Sequence, residues 1–246
     1  MLKKDSHHSS KIKEVDLSLM ISAYNEEECL EEVVNELIKE LKKSKINFEL
    51  FLVNNGSNDR TKEIIDKLER KNPGIIRSMH IEKNKKLGGA VDMVMGNKIK
   101  GKIIGFTCAD GEVTPEDTIK LAKTILDNPD ITLVKTIRIK RRDGMRIIVS
   151  KIYNLLVKVL FGVKTKDING WPVLVRYEDF KKMNIMHYSW IFQLEWLYQT
   201  KKMGKKFAEI VVYHQNRKGG KSKVKFADII IFTLQMISYR IRTMFS

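Results

Sequence analysis

The stretch Lys102–Pro115, KIIGFTCADGEVTP, decides how the chain is read. An apolar run stops at two carboxylates, Asp110 and Glu112, two residues apart. On extended chain that spacing turns both side chains to the same side. Two readings are open from this segment alone. The acids could hold a metal at the mouth of a buried strand, or they could lie in a solvated turn before a helix opening at Pro115–Glu116, where negative charge suits the helix dipole.

Working outward, the first half alternates short apolar runs with helical periodicity. Leu17–Ser22, Phe48–Val53, Ile75–Ile81 and Lys102–Thr107 read as strands; Glu26–Lys43, Thr61–Lys71 and the segment around Ala90–Asn97 read as helices. The Gly-bearing loop Asn84–Gly89 opens the last of these. Apolar strands separated by helices imply a parallel sheet covered on both faces. In such sheets ligands bind beyond the carboxyl ends of the strands. There stand Ala23-Tyr24-Asn25-Glu26, Asn54-Asn55 and Cys108–Glu112. The second half brings a strand at Leu133–Arg138, the basic run Arg138–Arg146, helices at Ile147–Phe161 and Trp190–Met203, a strand at Phe207–Tyr213 and the loop Arg217–Lys223. The chain divides into a flexible tail over 1–16, one domain over 17–224 and a C-terminal amphipathic helix over 225–246.

Composition narrows the partners. Lys+Arg 46 against Asp+Glu 30 gives a net charge of +16, which suits phosphorylated ligands, nucleic acid or an anionic membrane. No RNA-reading or helix-turn-helix signature appears, so nucleic acid is not expected. Two cysteines far apart, Cys29 and Cys108, argue against a disulfide framework and for a reducing, cytoplasmic location. The N-terminal stretch has no signal-peptide core, and His7 and His8 read as part of a solvated tail. No run reaches the roughly 20 apolar residues of a spanning helix. Ile147–Phe161 and Phe226–Phe245 instead combine apolar stripes with Lys and Arg, the pattern of helices lying in a membrane interface.

The residues carry chemistry in several places. Asn25 and Glu26 could bind a base or ribose, with Tyr24 as a stacking face; equally, Asn25 could cap the following helix. Asn54-Asn55 read as turn chemistry or as a binding pair. Arg138, Arg142 and Arg146 suit phosphate oxygens bidentately. Glu195 is a second candidate base, but a surface salt bridge is the better default for it.

Taken in order, AYNEEE (Ala23–Glu28), VNNGSNDRT (Val53–Thr61), NKKLGGA (Asn84–Ala90), CADGEVTP (Cys108–Pro115), DINGW (Asp167–Trp171) and RKGGKSK (Arg217–Lys223) resemble a known family. It is that of the polyprenyl-phosphate glycosyltransferases of the dolichyl-phosphate mannose synthase type. These are family 2 enzymes of the GT-A fold, an α/β architecture with a Rossmann-like, mostly parallel sheet. The resemblance implies an inverting, metal-dependent transfer of a sugar from a GDP- or UDP-sugar to a polyprenyl phosphate, at the cytoplasmic face of a membrane. It implies Mg²⁺ or Mn²⁺ on Asp110 and Glu112. It places the donor against Ala23, Tyr24, Asn25, Glu26, Asn54, Asn55, Gly88, Ala109, Asp110, Arg217, Ser222 and Lys223. The acceptor phosphate falls to Arg138, Arg142 and Arg146, with Asp110, Asp167 and Arg146 at the reaction centre. The chain departs from the family where paired aspartates would stand at Asn54-Asn55 and another aspartate at Cys108. The alternatives are a GT-A enzyme with a hydroxyl acceptor in cell-surface glycan synthesis, using Asp167 or Glu195 as base, and a non-catalytic relative that binds nucleotide-sugar or membrane.

Overall fold

β1 (Leu17–Ala23) is buried along almost its whole length and takes a parallel neighbour on each side, β2 (Phe48–Asn55) and β4 (Ile103–Cys108). This is a computed structural model, which describes residues 14–95, 97–139, 144–186, 190–213, 215–219 and 226–244, with backbone alone at 144–146, 148 and 226–228. Around β1 a seven-stranded sheet forms in the order β3-β2-β1-β4-β6-β5-β7. Its other strands are β3 (Ile76–Ile81), β5 (Ile131–Ile139), β6 (Val173–Arg176) and β7 (Lys206–Tyr213). All neighbours run parallel except β6, which lies antiparallel between β4 and β5. The sheet is mostly parallel, as expected; β6 itself, at four residues with no alternation to read, gives no strand signal in the sequence.

Strand side chains alternate between two cores. Leu17, Leu19 and Ile21 face one; Met20, and across the ladder Phe51 and Phe106, face the other. The first core is covered by α1 (Leu30–Lys43), α2 (Thr61–Lys71) and α4 (Pro115–Asp127). The second is covered by α3 (Lys86–Met95), α5 (Gly144–Phe161), α7 (Phe192–Lys202) and α8 (Phe226–Met244). Between β6 and α7 lies one further short helix, α6 (Tyr177–Phe180). The rings of Phe106, Phe192 and Trp196 pack at 5.0 to 5.7 Å and seat α7 on the sheet. Four helix starts differ from the sequence reading: α5 begins at Gly144 rather than Ile147 and α7 at Phe192 rather than Trp190, and two others have a visible local cause. α1 begins at Leu30 rather than Glu26, because residues 26–29 form a turn tied to the next loop. α3 begins at Lys86, so Gly88 and Gly89 lie inside the helix rather than before it.

Because β1 pairs β2 on one side and β4 on the other, the chain winds outward in both directions from the β1/β4 line. That line is a topological switch point, where loops part and leave a crevice beyond the carboxyl ends of the strands. The register puts Ala23 opposite Asn54 and Ser22 opposite Cys108, so three loops emerge at one level.

The opposite edge is fixed by Glu49, 2% exposed, which accepts from Ser18 Oγ (2.6 Å), Arg77 Nη2 (2.6 Å) and the Lys100 backbone N–H (2.8 Å). Removing it strands these donors. Glu49→Ala should therefore lower unfolding stability by about 3 kcal/mol in urea titration, yet leave ligand affinity at the other edge unchanged.

Candidate functional site

The turn after β1 is built by hydrogen bonds to the loop after β2. Asn25, at φ 54°, donates its backbone N–H to Ser57 Oγ (3.0 Å), and its side-chain oxygen accepts from Asn58 N–H (2.8 Å). Glu26 N–H donates to Thr61 Oγ1 (2.9 Å), and its side chain is buried. Asn25 therefore does not cap α1; it couples two loops of the crevice, with Tyr24 half-buried beside it. Ala23 closes the strand below, fully buried.

Asn54 and Asn55 are both buried and both shape loops. Asn54 Oδ1 accepts from Ser57 N–H (3.1 Å), closing the turn through Gly56. Gly56 has φ +74°, and a Cβ there would collide with the Asn84 backbone nitrogen. Asn55 grips the start of α3 from both ends of its amide, accepting from Lys85 N–H (3.0 Å) and donating to the Lys86 carbonyl (2.6 Å). Asn54 thus makes the local turn the sequence allows, whereas Asn55 ties its loop to a segment thirty residues away. Gly88, buried in the first turn of α3, follows that grip.

After β4 come Ala109, Asp110 and Glu112. α4 is capped by Thr114, whose Oγ1 accepts from Asp117 N–H (3.2 Å), with Glu116 and Asp117 in the first turn. Asp110 and Glu112 therefore play no part in capping. Asp110 is 4% exposed, and one of its oxygens accepts from Glu112 N–H (3.1 Å). The other meets Arg217 Nη2 at 2.5 Å, while Arg217 Nε meets Glu112 Oε1 at 3.0 Å. One guanidinium thus bridges both carboxylates. Burial works against that positive charge, but Asp110 and Glu112 outweigh it and hold the Arg217 pKa above the usual arginine value. The segment is clipped in place by Gln215 N–H to the Glu112 carbonyl (2.9 Å) and Lys218 N–H to the Asp110 carbonyl (3.1 Å). Lys218 Nζ adds ion pairs to Glu32 and Glu36, both at 2.8 Å.

Cys108 stands between this cluster and Arg138. Burial, then the charges of Asp110 and Glu112, push its thiol well above the ordinary range, while Arg138 and Arg217 pull the other way. A neutral thiol is no ligand for a hard divalent cation. Cys29, pushed up to about 12 by burial and by Glu26, is likewise inert and donates to the Ala109 carbonyl (3.4 Å).

At the end of β5, Arg138 grips Asp167 with Nε at 2.7 Å and Nη2 at 2.8 Å, and its backbone N–H adds a bond at 3.2 Å. The sequence offers both residues but not their pairing. Beneath them lies Lys135, fully buried, donating to the carbonyls of Asp167 and Thr136 and lying 4.0 Å from Glu209. Burial lowers its pKa to about 8, against the opposing charges of Asp167 and Glu209. Sequence reasoning passed over Lys135, although a lysine inside the apolar run LVKTI was the available signal. Gly170 lets the DINGW turn close on β5, since a Cβ there would collide with the Thr136 carbonyl.

Arg142, Ser222 and Lys223 lie outside the described residues, and of Arg146 only the backbone is described. Glu195 is corrected: it is fully buried on α7, not a surface salt bridge. The outer faces of α5 and α8 are apolar and exposed, with Leu155 at 58% and Leu234 at 61%, and among the described residues no helix is long and apolar enough to cross a membrane. Among the same residues no group of three or more His, Cys, Asp or Glu converges.

Undecaprenyl-phosphate 4-deoxy-4-formamido-L-arabinose transferase of Photorhabdus laumondii is 29% identical over 215 residues, covering 87% of this chain and 64% of that protein. The enzyme of the same name from Yersinia pestis is 25% identical over 223 residues, covering 90% and 66%. The chain therefore spans just under two thirds of the length of these relatives. Glucosyl-3-phosphoglycerate synthase of Mycobacterium tuberculosis, solved with Mn²⁺, UDP and phosphoglyceric acid, shares the fold at a TM-score of 0.68 and 18% identity, covering 91% of this chain and 76% of that one. The sequence model of glycosyl transferase family 2 matches residues 18–197, most of the sheet and its helices, and the chain belongs to that family.

Proposed function

We propose that the protein transfers a sugar, with inversion, from a nucleoside-diphosphate sugar to a polyprenyl phosphate at a membrane surface. The observation that carries this reading is the seat made by Asp110 and Glu112 at the switch point, where two carboxylates already converge on one cationic group. Such a donor set suits Mg²⁺ or Mn²⁺, which commonly binds through one or two carboxylates plus substrate phosphates. A divalent cation held there would neutralise charge developing on the diphosphate as the sugar departs. The relatives named for undecaprenyl phosphate, and the fold shared with an enzyme solved with Mn²⁺ and UDP, support the acceptor and donor classes.

The chain's own residues then divide the work. Arg217, freed from the carboxylates, can reach the diphosphate oxygens, for which its planar fork is suited. The loops joined by Asn25, Ser57 and Thr61 frame the nucleoside end. Arg138 faces the acceptor. Asp167 is engaged by that guanidinium through both oxygens, which fits an orienting part better than proton abstraction from a hydroxyl. A phosphate acceptor needs no such base, because it is already anionic. The exposed apolar faces of α5 and α8 support a peripheral seat on the membrane.

A transfer assay with a panel of UDP- and GDP-sugars, Mn²⁺ and a short polyprenyl phosphate tests the reaction. The expected product is a lipid-phosphate sugar released by mild acid, and Asp110→Asn should cut turnover by at least about a hundredfold. An acid-stable glycoside, or undiminished turnover in that variant, would contradict the reading. Since Arg217 and a divalent cation claim the same carboxylates, Arg217→Met should bind Mn²⁺ about tenfold more tightly without nucleotide, a gain of about 1.4 kcal/mol. Electron paramagnetic resonance of free Mn²⁺ measures this, and an unchanged affinity would show that the two cations do not compete.

A further inference from the structure

α5 and α8 lie side by side and run in the same direction. Tyr153 meets Phe232 at 4.1 Å, and two turns further on Phe161 stacks on Tyr239 at 5.7 Å. Their outward faces form one apolar surface, with Ile152, Leu155 and Val159 on α5 and Leu234, Ile237 and Ile241 on α8, each 45% to 72% exposed. At the last turn of α5 this surface ends in a cavity of about 430 Å³, lined chiefly by Val159, Phe161, Tyr198, Lys201, Lys202 and Arg240. Aromatic rings wall it, Phe161 and Tyr198 standing 5.2 Å apart, and no acidic residue lines it.

Its positive charge is organised. Lys201 Nζ donates to the carbonyls of Phe161 (3.0 Å) and Gly162 (2.9 Å), which offsets the negative end of α5. Arg240 lies with its guanidinium carbon 5.9 Å from the Phe161 ring centre, a cation–π placement that keeps the group at the wall. Lys202 is exposed at the rim. Three cations therefore line a concave space that shares Val159 with the exposed apolar stripe of α5. An anion bearing an apolar tail matches both halves at once. The cavity is separate from the Arg138–Asp167 pair: Asn154 holds the turn around Asp167 by bonds to the Lys166 carbonyl (2.6 Å) and from Ile168 N–H (3.0 Å). Phe161 lies two turns beyond Asn154, about 10 Å along the helix.

We propose that this cavity binds the phosphate of an anionic phospholipid headgroup, with the acyl chains lying along α5 and α8. The site rests on the reading that these helices meet a membrane, and it fixes where on the surface a headgroup is gripped. It uses none of the residues placed at the donor or acceptor.

The test is co-sedimentation of the full chain with vesicles of phosphatidylcholine alone, and of phosphatidylcholine containing phosphatidylglycerol. Lys202→Gln with Arg240→Gln should weaken binding to the anionic vesicles about tenfold. Lys39→Gln with Lys42→Gln removes the same charge from α1, on the other face of the sheet, and should change it less than about twofold. Both double variants should melt with the wild type. Equal losses in the two variants overturn the site, leaving only the diffuse charge of the surface. Full vesicle binding by the Lys202/Arg240 variant, coupled with loss of a thermal shift that inorganic phosphate gives the wild type, also overturns it, making free phosphate the ligand. A raised KM for a short polyprenyl phosphate in neutral detergent would likewise overturn it, assigning the cavity to the acceptor. Leu155→Gln with Leu234→Gln separates the underlying reading: if it binds both vesicles as the wild type does, the membrane seat itself fails.

Discussion

The parallel ladder of β1 between β2 and β4 is the constraint on which the rest depends. Parallel strands deliver every connecting loop at the same edge, and the reversal of strand order at β1/β4 parts two of those loops. The register brings Ala23, Asn54 and Cys108 to one level, so the loops after them meet without long excursions. β5 reaches the same edge because β6 inserts antiparallel between β4 and β5, leaving those two parallel to each other. The four residues of β6 thus place Arg138 within electrostatic reach of Cys108 at the end of β4.

Charge at that edge is balanced group by group. Asp110 and Glu112 share Arg217, and Asp167 takes Arg138. Lys135 lies beneath, shared between backbone carbonyls and Glu209. Buried ions of this kind are held only by near-complete pairing, because the desolvation cost of one left alone is several kcal/mol, on the order of the stability of a domain. A highly charged ligand can therefore enter only by exchanging partners with groups already paired. The anchors beside Arg217, from Lys218 to Glu32 and Glu36, lie on the surface, where such contacts are weak.

Much of this was legible in the chain. The strands β1 to β4 and the helix Thr61–Lys71 follow from periodicity and turn signals, whereas the metal reading of Asp110 and Glu112 comes from the family resemblance, spacing alone leaving it open. The turn role of Asn54 follows from a side chain that bonds its own neighbourhood, whereas the grip of Asn55 on α3 does not. What stayed hidden depends on contacts between distant segments. The Arg138–Asp167 fork joins residues far apart in the sequence, and neither residue names its partner. Glu195 looks like a solvent-facing acid because its helix carries Lys201 and Lys202 nearby, yet its own face packs inward. Glu26–Glu28 suit a first helical turn, yet α1 starts later, because the backbone N–H groups of Asn25, Glu26 and Glu27 bond to Ser57, Thr61 and Asp59 and hold the stretch in a different turn.

As proposed above, the end of β4 binds a nucleoside diphosphate together with a divalent cation. Calorimetric titration of the full chain with UDP and with GDP, each in the presence and absence of Mn²⁺, tests it directly. One of the two nucleotides should bind at least about tenfold more tightly when the cation is present. Nucleotide binding of equal strength with and without Mn²⁺, or none with either nucleotide, would contradict the account.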